Sequence, residues 1–190
     1  MSIEGHNERV ANSKKLIVWF AGISIFMLFA GLTSAYIVSA SRPDWDSKFA
    51  LPPAFKVSTV LIVLSSIIFH LGKREVKKGR HRNGTFLLMA TFFLGIAFVG
   101  TQFSGFNQAI NAGNYFTGQA SRINSSFLYV IAMAHIVHVL GALVSIAVVN
   151  INHLKHKYSP NDVLGIELAA NFWHFIDLLW IYVYCFLLCY

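Results

Sequence analysis

Five long apolar runs, each near the length of a bilayer crossing, set what this chain can fold into. They fall at about 16–40, 55–71, 85–107, 124–149 and 162–188. A helix needs about 20 apolar residues to cross a hydrocarbon layer ~30 Å thick. Inside lipid every backbone N–H and C=O must be satisfied within the protein, which leaves helices or closed barrels. The runs are continuous and lack the apolar–polar alternation of a barrel strand. The expected fold is therefore an all-α integral membrane protein, a bundle of five transmembrane helices forming a single domain over residues 1–190. Composition agrees: 12% of the residues are charged, about half the usual share in soluble domains.

The polar residues between the runs give an orientation. Eleven of the fifteen Lys and Arg residues lie on one side, in the N-terminal segment, the stretch Lys73–Arg82 and the stretch with Lys155 and Lys157. Arg42, Lys48, Lys56 and Arg122 lie on the other. Positively charged loops stay inside, so the N-terminus is expected inside and the C-terminus outside. The first fifteen residues are polar and the run that follows is long enough to span, so no cleavable signal peptide is expected.

Several function classes drop out. The net charge of +7 comes from residues set between apolar runs, without an aromatic-interleaved basic platform, so no nucleic-acid partner is expected. No P-loop, nucleophile elbow or Gly-rich dinucleotide fingerprint is present. No repeat or broken helix points to a transporter. Cys185 and Cys189 are four apart on one helix face, a geometry that does not suit a disulfide, and two thiols do not make a zinc site.

The fifth run carries the chemistry. At about 100° per residue, Glu167, Asn171, His174 and Asp177 form one polar stripe down a helix, with Trp173 and Trp180 on the opposite side. Ionisable groups inside a bilayer cost about 2.5–3.5 kcal/mol each on insertion scales and usually have a role. The stripe reads either as a proton-relay segment or as a hydrogen-bonded lock between helices or subunits. The lock is favoured, because one stripe without a matching acidic helix makes a poor proton path. The fourth run supplies the expected partners: His135 and His138 are three apart on one face, with the Glu and Asp of the fifth run as natural acceptors. Gly141 and Ala142 would let helices approach closely. The rival reading is a bis-His haem held by His138 and His174, as in a b-type cytochrome membrane anchor. A second pair, His153 and His156, is read as part of a solvated basic loop that, with His81, could buffer protons. Gln102 is read as packing glue inside the third run.

These residues carry a resemblance. The block Glu167-x5-Trp173-His174-Phe175-x-Asp177-x2-Trp180 resembles the C-terminal signature of subunit III of the haem-copper oxidases, which comprise cytochrome c oxidases and quinol oxidases. His135-x2-His138-Val139-x-Gly141 resembles that family's second block. Leu51-Pro52, Thr59, Ser65-Ser66 and Gln102 fall where it has a loop, a helix and a glutamine.

The resemblance implies a short bacterial form of subunit III, with five helices in place of seven, in the inner membrane. It implies a non-redox subunit that holds no haem, copper or other metal itself; haems and copper belong to the partner, subunit I. Oxidase subunits I and II and phospholipids are the implied partners, and a larger respiratory supercomplex is a further candidate. The implied roles are to stabilise subunit I, hold lipid, support proton uptake and guide oxygen. Two positions depart from the family's pattern: Ile25 follows Ser24 where a glutamate is usual, and Gly105 replaces an acidic residue three after Gln102. Glu167 is then the main intramembrane glutamate left. The electron donor, cytochrome c or a quinol, is decided on another subunit.

Overall fold

The computed structural model describes residues 3–43, 45, 51–118, 121–158 and 163–189; those residues contain five helices and no strand. The helices are α1 (Ile3–Ser39), α2 (Ala54–Lys77), α3 (His81–Asn111), α4 (Ile123–Leu154) and α5 (Leu164–Cys189). Each is long and apolar enough to cross a membrane. Several outrun the apolar stretches from which they are expected. α1 begins in the polar N-terminal segment, and α2 continues through Lys73 and Lys77. Lys, Arg and Glu are good helix formers, so the helix persists where its surroundings change from lipid to water.

Three helices stop in the same way. At the end of α2, the Gly79 N–H donates to the Val76 carbonyl and the Arg80 N–H to the Glu75 carbonyl, each at 3.0 Å. At the end of α3, Gly113 and Asn114 repeat the pattern on Ile110 and Ala109 at 2.9 Å. At the end of α4, His156 and Lys157 repeat it on His153 and Asn152 at 3.0 Å. This double bond needs a left-handed residue just past the helix, usually glycine. Gly79 and Gly113 supply it with φ of 75° and 82°, but α4 uses a histidine at φ 53°.

α2 and α3 form a tight helical hairpin through the turn Lys78-Gly79-Arg80. The helices meet as α2–α3, α3–α4, α4–α5 and α5–α2, which closes a four-helix ring; among the described residues α1 leans on its α4–α5 edge and meets neither α2 nor α3. Phe55, Phe98, His135, Trp173 and Trp180 fill the ring's interior and are essentially inaccessible. Gly95 makes this possible: a Cβ there would stand 2.6 Å from Leu143 Cδ2 and 2.8 Å from the Trp173 ring. Lipid is as apolar as these side chains, so close packing rather than water exclusion holds the ring together. α1 is fastened by the Thr33 and Tyr182 hydroxyls, hydrogen-bonded at 3.0 Å. Its other side shows Leu16, Ile17, Phe20 and Met27 to the surroundings, as suits a lipid-facing surface.

Candidate functional site

α5 works with two faces. Its polar face lies along α2, whose Ser66, His70, Lys73 and Lys77 recur at helical spacing. The Ser66 hydroxyl and His174 Nδ1 are hydrogen-bonded at 2.6 Å, and the His70 ring centroid lies 6.3 Å from that of His174. Lys77 Nζ donates to Glu167 Oε1 at 2.5 Å. Lys73 and Lys15 also present their charge to this carboxylate, so three ammonium groups from two helices gather round one acid. Asp177 is 2% exposed. Its carboxyl has Ser66 as a neighbour, but neither oxygen is hydrogen-bonded.

The other face of α5 carries the tryptophans into the ring. Trp180 Nε1 donates to Thr59 Oγ1 of α2 at 3.0 Å, while its ring lies 4.9 Å from His135 and 5.5 Å from Phe98. Gln102 Nε2 donates to Ser58 Oγ at 3.1 Å, the packing role its position suggests.

The imidazoles of α4 do not pair with the carboxylates of α5. His135 is fully buried among Phe29, Phe98 and Trp180, and neither ring nitrogen has a partner. His138 Nδ1 bonds the Ala134 carbonyl of its own helix at 2.7 Å, and its ring packs on Phe29. The reason is the order of packing: the α2–α3 hairpin places α2 on the polar face of α5 and leaves α4 to meet the tryptophan face. The same arrangement separates the two histidines of the haem reading, since His138 turns to α1 and His174 to α2. Gly141 also departs from expectation. It is exposed, and a Cβ added there would meet nothing within 4 Å; the neighbouring Ala142 makes the close approach instead. His153, expected in a solvated loop, is 2% exposed. Both cysteines are free and exposed.

Asn171 opens onto a groove between α1 and α5. The groove has a volume of about 510 Å³ and is walled by Lys15, Trp19, Phe26, Asn171, His174 and Phe175. It is apolar along its length and basic at one end, where Lys15 stands. His70 is the member of this site that the reading of the sequence passed over. It lies one helical turn after Ser66 on the same face, and that spacing was the available signal.

Fold and site define the class: a multi-pass helical membrane protein whose intramembrane polar groups tie helices together and wall a groove. The chain belongs to the family described as cytochrome c oxidase subunit III, whose model matches residues 2–190. It is 27% identical to cytochrome c oxidase subunit 3 of Bacillus sp. (strain PS3), over 87% of this chain and 82% of that one. It is 28% identical to cytochrome bo(3) ubiquinol oxidase subunit 3 of Pseudomonas aeruginosa, over 87% of this chain and 79% of the relative. It is 29% identical to cytochrome c oxidase subunit 3 of Drosophila yakuba, over 85% of this chain and 61% of the relative.

Proposed function

We propose that this chain is the non-redox subunit III of a respiratory terminal oxidase in a bacterial inner membrane, where it packs beside subunits I and II. Haem and copper are then held by the partners, and the complex reduces oxygen to water. The observation that carries this reading is the α5 block from Glu167 to Trp180. It joins α2 through Ser66 and Thr59 and also walls the groove, so the residues of the family signature organise the whole subunit.

The groove is the proposed seat of a phospholipid. Its apolar wall suits an acyl chain, and Lys15 at its mouth suits a headgroup phosphate. In the stripe Glu167, Asn171, His174 and Asp177, the two acids and His174 are proposed as a packing lock with α2 and Asn171 as a wall of the groove, with His135 and His138 as packing groups toward α1 and Trp180. Glu167, ringed by lysines, is the group proposed to take part in proton supply. The N-terminus is proposed to lie inside, as the distribution of Lys and Arg suggests. That placement is supported by the gathering of Lys15, Lys73 and Lys77 round Glu167 at one end of the bundle.

Affinity purification of the chain from native membranes tests the proposal. A haem-bearing subunit I should co-migrate, and the chain by itself should show no haem absorbance. A chain that purifies alone, or with its own b-type spectrum lost in His174→Ala, overturns it. Relatives of both kinds leave two donors. The haem type and subunit II of the purified complex decide between cytochrome c and quinol.

A further inference from the structure

At the end of the bundle where α2 turns into α3, three histidines from two stretches of chain meet. The His81 ring is stacked on the His153 ring, with centroids 5.6 Å apart and planes 27° apart. His156 meets the His81 ring edge-on at 5.7 Å. His153 Nε2 stands 3.4 Å from the His81 carbonyl oxygen, so its N–H can donate there. The Nδ1 atoms of His81 and His153 are both buried without a partner.

We propose that His81, His153 and His156 form a protonation-released clamp, which fastens the α2–α3 turn to the end of α4 when the rings are neutral and frees it when they are charged. A neutral imidazole has one N–H and one lone pair, and each stacked ring can leave its Nδ1 as the bare acceptor. Protonation adds an N–H at that position, and the structure offers it no acceptor. A buried donor without an acceptor is costly, and two imidazolium rings at stacking distance also repel each other.

Among the described residues the surroundings supply no compensating charge. From the turn between α2 and α3 come Lys78, Arg80 and Arg82; from the end of α4 come Lys155 and Lys157. The nearby carboxylate of α2, Glu75, is held by Lys78 and Arg80 at 3.3 Å each. The carboxylate at the start of α5, Glu167, is held by Lys77.

The backbone carries a second, independent observation. His156 takes the left-handed position that closes α4, at φ 53°, where α2 and α3 use Gly79 and Gly113 for the same double hydrogen bond. A left-handed backbone disfavours a residue with a Cβ, so the site carries a local strain that glycine would remove. The return for that strain is the imidazole itself, delivered against His81. The clamp needs nothing from the oxidase assignment.

Hydrogen–deuterium exchange on the full chain in lipid nanodiscs tests the clamp, corrected for the intrinsic effect of pH on exchange. Between about pH 7.5 and 5.5, across the imidazole range near ~6.5, protection over residues 78–84 and 150–158 should fall by roughly tenfold or more, with α5 unchanged. His153→Phe keeps a stacked ring that cannot be charged and should abolish the loss. His156→Gly relieves the cap strain and should keep full protection at the higher pH while blunting the loss at the lower. Protection in the wild type that ignores pH overturns the clamp, as does an undiminished loss in His156→Gly. The second variant removes strain at an exposed position, so the test stands even where His153→Phe does not fold.

Discussion

Ser66 and His174 meet 2.6 Å apart across the α2–α5 interface, and this contact ties the polar face of α5 to α2. His174 stands at the same time on the wall of the groove toward α1. One imidazole therefore belongs to a helix seam and to a binding surface.

The strength of that seam can be measured. Hydrogen bonds between helices in membranes are worth about 0.6 kcal/mol on average and up to about 1.7 kcal/mol. Ser66→Ala and His174→Ala should each destabilise the chain, and the double variant should lose less than the sum, because the shared bond is counted twice. Thermal unfolding of the four proteins in one detergent gives the coupling. Strict additivity would show that the contact contributes nothing.

Gly95 and Gly100 should respond with opposite signs. Alanine at 95 forces a methyl group into the side chains of Leu143 and Trp173, an overpacking that typically costs about 1–3 kcal/mol. Gly100 is exposed and nothing lies within 4 Å of a Cβ there, so alanine should gain up to about 1 kcal/mol from helix propensity. Unfolding of the isolated chain checks both. A neutral Gly95→Ala would place Trp173 elsewhere.

Asp177 should tolerate neutralisation. Its buried carboxyl has no geometrically adequate partner, and an unsatisfied buried group costs about 1–3 kcal/mol or more when charged. Asp177→Asn keeps the shape and removes the charge, so the isolated chain should be at least as stable as the wild type. The sequence alone, reading Asp177 as half of a satisfied pair, predicts the reverse. A clear fall in melting temperature would restore that reading.

Glu167→Gln separates stability from proton supply. The side chains of Lys77 and Glu167 are 44% and 31% exposed, and such pairs contribute roughly 1 kcal/mol or less. Stability should change little. In the purified oxidase, turnover should fall most at high pH, where protons are scarce. A flat pH response would remove Glu167 from proton supply.

The helices and the polar stripe of α5 were legible because both depend on local order: run length against bilayer thickness, and about 100° per residue. The opposition of Trp173 and Trp180 to the stripe was legible for the same reason. The neighbour of each face was not. Periodicity says which residues share a side and is silent on which helix arrives there. His135 and His138 looked like partners for Asp177 because α4 precedes α5 in the chain. The α2–α3 hairpin brings Ser66 and Lys77 there instead, across a long separation in sequence. The imidazole cluster was hidden for a further reason. His81 and His156 look like loop residues until the caps of α2 and α4 set them side by side.

The attachment of α1 has a consequence for how the chain is made. Its only helix neighbours among the described residues are α4 and α5, yet α2 and α3 are synthesised before either of them. At about 5–20 residues per second, the first helix stays for several seconds or more without the surfaces it will pack on. Through that time Thr33 lacks Tyr182, and Phe29 lacks His135 and His138. Of the five helices, α1 is thus made first and held last, and a chain stopped after α3 would leave it without any of the helices it packs on.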